Sequence, residues 1–223
     1  MSTEMWWALE DGLWWALCGL SVGWCWQERG RTTPWRAMLA LGLFVVTGLM
    51  CAGGWRLALA KGSSMAPALS KWSVLLLTTR EMPLARGNVV VFSLSGDRGD
   101  GPGVMAKRIV AVGGEHVEYR WGGLRVNGQE VKSGAAPLSS PRPPAGTRAR
   151  QIQLGGQAVV VWAPLPGLSS QVKEAHVPRA AVFVMGDHWA NSRDSRDFGP
   201  VATTSIRGRV LAAWSLEMGW KRL

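Results

Sequence analysis

A serine that could act as a nucleophile stands where the character of the chain changes. Ser64 lies in the stretch Gly-Ser-Ser-Met-Ala-Pro-Ala-Leu at 62–69, directly after an apolar run that ends near residue 60. A serine hydroxyl is a poor nucleophile by itself and needs a base that takes its proton. Histidine is the usual base, but the only histidines are His116, His176 and His188, and no G-x-S-x-G elbow is present. The sequence pattern therefore pairs no histidine with Ser64.

Lysine is the other base that can serve a catalytic serine. Lys107 stands in the strand-like stretch Val-Met-Ala-Lys-Arg-Ile-Val at 104–110, with apolar neighbours on both sides. Burial favours the neutral amine, which can accept a proton. Lowering the pKa of Lys107 from ~10.4 to about 8 would require about 3 kcal/mol, since one unit corresponds to ~1.36 kcal/mol. A lysine in a strand can equally be a solvated surface residue, so this pattern alone leaves both interpretations open.

A third stretch, at 186–199, is dense in short polar residues and by itself could be a solvated loop. It reads Gly-Asp-His-Trp-Ala-Asn-Ser-Arg-Asp-Ser-Arg-Asp-Phe-Gly. Together and in this order, the stretches resemble the type I signal peptidases (leader peptidases), a family of membrane-bound Ser/Lys endopeptidases. The family's S-M-x-P-T-L box matches 64–69, its R-G-D-hydrophobic strand 86–92, its K-R-hydrophobic box 107–110, and its G-D-N-x-x-x-S-x-D-S-R-x-x-G box 186–199. Four matches in order are far more specific than any one of them.

The resemblance implies a role for each polar residue of these boxes. Ser64 is expected to be the nucleophile, Lys107 its general base, and Ser192 the hydroxyl that orients the lysine amine. Asp194 and Arg196 are expected to form a supporting ion pair, Asp187 to lie behind the catalytic pair, the Ser64 backbone N–H to serve the oxyanion hole, and Met65 and Pro67 to line the substrate pocket. The reaction would be acyl transfer through an acyl-enzyme on Ser64, which water activated by Lys107 would hydrolyse.

Four positions depart from the family pattern. Gly62 stands where many members have a serine whose hydroxyl binds the oxyanion, and loss of such a donor costs about 10²–10³ in rate. A backbone group or water must therefore compensate at Gly62. Ala68 replaces Thr, Asn88 replaces Asp, and His188 replaces Asn. His188 could also be a serine base, but that would leave Lys107 unexplained.

The departures keep three functions open. The first is a signal peptidase that removes N-terminal signal peptides from exported preproteins, cutting after small residues in the Ala-x-Ala pattern that the family prefers. The second is a dedicated maturase for one or few substrates, such as a conjugative pilin. The third is a catalytically inactive membrane scaffold for secretion components, against which the joint retention of Ser64, Lys107 and Ser192 argues.

The first sixty residues have the character of a membrane anchor. They contain eight of the fourteen tryptophans, which is typical of aromatic belts at a bilayer interface. Two transmembrane helices are predicted at about 5–26 and 37–60, joined by a basic cytoplasmic loop at 27–36. A single anchor, with residues 1–26 lying on the membrane surface, is the alternative. Either arrangement belongs to the bacterial cytoplasmic membrane, and the helix hairpin would place residues 61–223 on its periplasmic or extracytoplasmic side.

Composition limits the partners further. The net charge of +10 suits a domain tethered beside anionic lipid headgroups. No nucleic-acid motif, metal cluster or phosphate-binding loop is present, so neither nucleic acid nor a cofactor or metal is expected. Cys18, Cys25 and Cys51 all fall in the anchor and leave the redox compartment open. The expected partners are preproteins with signal peptides, the lipid bilayer and, through the family resemblance, the secretion translocon.

Residues 61–223 have the pattern of a mostly β domain. Strands are predicted at 74–79, 88–94, 104–112, 159–162, 181–185 and 208–216. Asn127–Gly128 is the turn signal of a hairpin over 119–131, and residues 133–150 read as a loop. The resemblance implies antiparallel sheets in a fold similar to that of the self-cleaving repressors, with a non-catalytic β subdomain inserted at about 117–183.

Overall fold

The computed structural model describes residues 52–80, 83–94, 103–120, 122–168 and 172–223, and isolated positions between 38 and 48. The predicted helix at 5–26 and the loop at 27–36 lie outside the described residues. Within the predicted helix at 37–60, positions 38, 39, 42, 45, 48 and 52 are helical and exposed. Among the described residues no helix has the length and apolar character needed to cross a membrane. The predicted end of the second helix is wrong, because Trp55–Ala60 form a strand paired with Ser73–Thr78.

The prediction of a mostly β fold with antiparallel sheets is confirmed. The strands are β1 Trp55–Ala60, β2 Ser73–Thr78, β3 Val89–Leu94, β4 Gly103–Val112, β5 His116–Arg120, β6 Gly123–Val126, β7 Gln129–Glu130, β8 Ser133–Ala135, β9 Thr147–Leu154, β10 Gln157–Pro164, β11 Val172–His176, β12 Ala181–Met185, β13 Val201–Ala202, β14 Ile206–Ser215 and β15 Gly219–Arg222. Short helical segments lie at Trp189–Asn191, Ser195–Phe198 and Thr203–Ser205.

The large sheet has the strand order β1-β2-β14-β3-β4-β12-β13, with β15 paired to β14. Both faces of its centre are buried. On β3, Val89 and Val91 pack into one apolar cluster, whereas Val90 and Phe92 pack into another. This two-sided burial explains why the central strands are apolar runs and do not alternate with polar residues. β4 lies between β3 and β12 at this buried centre, and its residues 106–111 are all buried.

The chain between β4 and β12 forms two smaller sheets, with the orders β11-β5-β6-β7 and β10-β9-β8. Their apolar faces share one cluster that includes Tyr119, Ile152 and Val161 and extends to Phe183 and Trp189. β12 pairs with β4 in the large sheet, so the predicted subdomain boundary at 183 falls inside a large-sheet strand. The small sheets therefore pack directly behind the loop that follows β12.

Turn-forming residues predicted one turn correctly and one loop incorrectly. The Asn127–Gly128 turn is confirmed, since both residues have positive φ, 53° and 74°, and join β6 to β7. The predicted loop at 133–150 is wrong at its ends, because it contains β8 and the start of β9. Ser-Gly-Ala has little strand propensity, so pairing with the neighbouring strand decides its conformation.

Candidate active site

Ser64 lies in the turn that follows β1. The Ala66 N–H donates to the Ser63 carbonyl (3.0 Å), and the Leu69 N–H donates to the Met65 carbonyl (2.9 Å). Met65 and Leu69 are buried in the core of the large sheet, so apolar burial fixes the turn. Within the described residues, the Ser64 backbone N–H donates no hydrogen bond. Ser64 thus presents both a hydroxyl and an available amide.

Lys107 projects from the middle of β4, where its residue pairs with Val90 of β3. Its side chain is 1% exposed. Its Nζ donates to Ser64 Oγ over 2.5 Å and to Ser192 Oγ over 3.1 Å. Burial lowers the pKa of Lys107 to about 8, although the charge of Asp194 acts in the opposite direction. A substantial fraction of the amine is therefore neutral near pH 8 and can accept a proton.

Gly186 allows the three segments of the site to meet. It directly follows β12, and a Cβ built on it would lie 2.3 Å from Ser192 Oγ and 2.4 Å from the Ser64 carbonyl oxygen. Real Cβ atoms do not approach other atoms so closely. Only glycine lets the β12 loop pass between the serine turn and Ser192 without displacing either.

Replacing Gly186 by alanine is expected to lower kcat for substrate cleavage by about 10²-fold, because a shift of ~1 Å in reacting groups can cost that much. The added methyl group must push Ser192 or the Ser64 turn away from Lys107. Steady-state kinetics of the purified variants measures this. Gly134→Ala is the matched control, since a Cβ on Gly134 meets nothing within 4 Å. Equal kcat values for the two variants would contradict the close approach of Gly186 to Ser192 and to the Ser64 turn.

Asp194 and Arg196 form a buried ion pair beneath the site. Arg196 donates to the Asp194 carboxylate through Nε (2.8 Å) and Nη2 (2.9 Å), and the Gly186 N–H donates to the same carboxylate (3.0 Å). Arg196 Nη1 also donates to the Trp189 carbonyl (2.8 Å). Burial by itself would lower the pKa of Arg196, but the hydrogen bond and charge of Asp194 outweigh it and raise that pKa. The pair ties the β12 loop to the short helix Ser195–Phe198.

Asp187 is held by a residue that the sequence reasoning missed. Arg108 donates to both carboxylate oxygens of Asp187 through Nε (2.8 Å) and Nη2 (2.7 Å), and its Nη1 donates to the Gly87 carbonyl (2.7 Å). Arg108 is 4% exposed. The sequence signal for Arg108 was its position directly after Lys107 in the Lys-Arg box. Because successive side chains of a strand point to opposite faces, Arg108 makes contacts that Lys107 does not make. The Arg108–Asp187 pair connects β4 to the loop after β12.

A small recess opens beside the Ser64 hydroxyl. Its lining residues are Ala60, Lys61, Gly62, Ser64, Met65, Leu69, Met105, Ala106 and Lys107. Of the two predicted pocket residues, Met65 is in this lining. Pro67, which a cis peptide bond joins to Ala66, is buried and lies outside it. Met105 and Ala106 were missed, because only the packing of the serine turn onto the large sheet brings them beside Ser64.

Two departures from the family pattern have a structural account. Asn88 Oδ1 accepts a hydrogen bond from the Ala85 N–H (3.0 Å), a contact that an amide oxygen makes as well as a carboxylate. His188 has no hydrogen bond with the Ser64 hydroxyl among the described residues. The Ser64 hydroxyl contacts Lys107, whereas His188 Nδ1 is buried without a hydrogen-bond partner among the described residues. Nothing in the structure explains why Ala68 replaces Thr.

Comparisons with known proteins identify the family of this chain. The profile of the family described as signal peptidase, peptidase S26, matches residues 34–215. Signal peptidase I of Bacillus caldolyticus is 26% identical over 191 residues, which are 82% of this chain and 90% of that protein. Signal peptidase I V of Bacillus subtilis (strain 168) is 27% identical over 153 residues, which are 67% of this chain and 80% of that protein. A shorter match, 41% identical over 69 residues, covers 30% of this chain and 40% of mitochondrial inner membrane protease subunit 1 of Xenopus tropicalis.

The chain belongs to the signal peptidase family, peptidase S26. It is a serine endopeptidase that removes signal peptides from preproteins.

Proposed function

We propose that Ser64 and Lys107 are the catalytic pair of this signal peptidase. The observation that carries the proposal is the 2.5 Å contact between Lys107 Nζ and Ser64 Oγ. Both side chains are buried, and the pKa of the amine is lowered to about 8. The neutral amine takes the hydroxyl proton while Oγ attacks the scissile carbonyl carbon.

The rest of the cycle uses the same groups. The Ser64 backbone N–H donates to the oxyanion that develops on the carbonyl oxygen. The lysine ammonium then gives its proton to the leaving amine, which leaves an acyl-enzyme ester on Ser64. Lys107, neutral again, takes a proton from a water molecule whose oxygen attacks the ester. The product acid departs when Ser64 Oγ recovers that proton.

Three groups act by holding this pair in place. Ser192 Oγ accepts a hydrogen bond from Lys107 Nζ and keeps the amine directed at Ser64. The Asp194–Arg196 and Asp187–Arg108 pairs hold the loop that carries Ser192 against β4. Gly62 offers no side-chain donor, so a backbone N–H or a water molecule must supply the second oxyanion donor.

The substrates we propose are preproteins whose signal peptides lie in the bilayer. The recess beside Ser64 is lined by small and flexible apolar side chains, including Ala60, Met105 and Ala106, which suits small residues before the cut. The tryptophan-rich first sixty residues and the net charge of +10 support attachment to a bacterial cytoplasmic membrane through the two predicted helices. The β domain, which begins at β1, would then work on the extracytoplasmic side, next to the translocon.

The experiment is cleavage of a preprotein with an Ala-x-Ala site by the detergent-solubilised full chain. Wild type is compared with Ser64→Ala and with His176→Ala, an exposed residue of β11. Cleavage that Ser64→Ala abolishes and His176→Ala preserves is the expected result. Activity that survives in Ser64→Ala would overturn the proposed nucleophile.

A panel of unrelated preproteins tests the second candidate, a dedicated maturase. The departures at Gly62, Ala68 and His188 favour a specialised enzyme. Cleavage of several unrelated substrates indicates a general signal peptidase, whereas cleavage of one pilin-like substrate indicates a maturase. Failure to cleave any substrate of the panel would point to a dedicated substrate outside the panel or to the inactive scaffold.

A further inference from the structure

A second groove lies at the first residue of β1, at the other end of that strand from the active-site recess. It has a volume of about 600 Å³ between the end of β2 and the start of β14. Its lining includes three arginines, Arg80, Arg207 and Arg209, beside Thr78 and Thr79. None of the lining residues that the structure describes is acidic. A groove of this size accommodates a small ligand, and its charge favours an anion.

Two of the arginines have no counterion among the described residues. Neither Arg80 nor Arg209 forms an ion pair or a side-chain hydrogen bond there, and Arg209 Nε is buried without a hydrogen-bond partner. A buried polar group without a partner calls for an explanation such as a bound ion or water. Arg207 donates from Nε to Ser93 Oγ (2.9 Å), which is a neutral group. An anion in the groove would therefore meet positive charge that no carboxylate of the described lining neutralises.

Paired strands hold these groups in place. Arg209 of β14 pairs with Thr78 of β2, and Thr78 pairs with Trp55 of β1 on its other side. Directly paired residues of neighbouring strands point to the same face, so these three side chains share one face of the large sheet. β14 also has a register shift between Ile206 and Gly208, and bulges of this kind re-aim side chains beside sites. The groove is therefore built on the sheet.

The groove adjoins the end of the predicted second membrane helix. Residue 52 is helical, and β1 begins at Trp55. Thr79 donates to the Gly54 carbonyl through its backbone N–H (2.7 Å) and through Oγ1 (3.1 Å). Trp55 is 44% exposed, and tryptophan is enriched where a membrane meets water. A bilayer that holds this helix would place its headgroups beside the groove.

We propose that this groove binds a phosphate group, which the headgroup of an anionic phospholipid supplies. The guanidinium fork of arginine pairs with two phosphate oxygens. Thr78 Oγ1 accepts the Arg80 N–H (3.3 Å) and still has its own proton to donate. The headgroup as source rests on the membrane attachment proposed above, whereas the phosphate chemistry rests on the groove alone. Binding would hold this end of the large sheet at the membrane surface.

The test measures binding to the full chain in an uncharged detergent by isothermal titration calorimetry. The probes are dihexanoylphosphatidylglycerol, dihexanoylphosphatidylcholine and inorganic phosphate. Wild type is expected to bind the anionic lipid at least about 10-fold more tightly than the zwitterionic one. Arg209→Gln should weaken that binding about 10-fold or more, since it removes charge-assisted hydrogen bonds. Arg142→Gln removes the same charge from the exposed segment between β8 and β9 and should change the Kd by less than about 2-fold.

The probes and variants separate the possible outcomes. If Arg209→Gln does not fold, Arg80→Gln replaces it, because Arg80 is exposed. Unchanged lipid binding in the groove variant, or an equal loss in Arg142→Gln, would overturn the site. Inorganic phosphate that binds as tightly as the anionic lipid would support the phosphate site and overturn the headgroup as its source. Tighter binding of hexaglutamate than of both phosphate probes would overturn the phosphate and indicate an acidic protein partner.

This binding assay is independent of catalysis. Ser64→Ala is expected to bind the anionic lipid as wild type does, because Ser64 lies beyond the other end of β1. Cleavage that survives in Ser64→Ala would refute the proposed nucleophile and leave the groove unaffected. A chain that does not sediment with membranes, yet loses lipid binding in Arg209→Gln, would refute the proposed attachment alone. A membrane-bound chain whose groove variant binds the lipid normally would refute only this inference.

Discussion

Replacing Lys107 by methionine is expected to lower kcat for preprotein cleavage by at least about 10³-fold, as removal of a base from a catalytic serine unit does. Methionine can fill much of the buried space that Lys107 occupies, so the packing of β4 between β3 and β12 should persist. The Ser64 hydroxyl would then have no group to take its proton. Steady-state cleavage of an Ala-x-Ala preprotein by the detergent-solubilised full chain measures the loss.

Lys173→Met is the matched control for this substitution. Lys173 lies on β11 in the small sheet, outside the proposed site, and its replacement is expected to leave kcat within about 2-fold of wild type. A melting temperature for each variant shows that both are folded. Cleavage that survives in Lys107→Met would mean that another group is the base, and His188 would be the next residue to replace.

The same assignment predicts the pH dependence of the wild-type enzyme. Lys107 acts only when neutral, and burial lowers its pKa to about 8. kcat/KM should therefore rise by about tenfold per pH unit below pH 8 and level off above it. A histidine base would instead place the inflection near ~6.5. A profile that is flat from pH 7 to 9 would contradict the lysine base.

Replacing Asp194 by alanine is expected to lower the free energy of unfolding by about 3–5 kcal/mol, the usual effect of breaking a buried ion pair on one side. The Arg196 guanidinium would be left charged, buried and without its carboxylate. The Gly186 N–H would lose its acceptor as well. Urea denaturation of the full chain in detergent, followed by tryptophan fluorescence, measures the change.

Two further variants make this prediction specific. Glu174→Ala removes one partner of the exposed His116–Glu174 pair, whose glutamate is 59% exposed, and should cost at most about 1 kcal/mol. The double variant Asp194→Leu with Arg196→Met removes both buried charges and should be less destabilised than Asp194→Ala alone. Equal losses of unfolding free energy in Asp194→Ala and Glu174→Ala would show that the buried pair stabilises the fold no more than the exposed pair does.

The sequence by itself determined the local elements and the types of residues in the site. The apolar runs that predicted strands at 88–94 and 181–185 correspond to β3 and β12, because those runs are buried on both sides whichever strands they pair with. Asn127–Gly128 identified a turn through its own backbone preferences. The order of the serine, lysine and serine-rich boxes identified the family, since these side chains are required by the chemistry.

Only the tertiary structure decided the features that depend on pairing between distant segments. The end of a membrane helix was predicted where β1 lies. An apolar stretch such as 55–60 gives no sign in the sequence that it will pair with β2. A lysine in a strand could have been solvated, but the serine turn and the loop that carries Ser192 lie over Lys107, whose Nζ contacts both serines. The partner of Asp187 also comes from another strand. All these features have the same physical reason. They depend on hydrogen bonds and burial between residues that are far apart along the chain, and the local sequence around each residue does not reveal its distant partner.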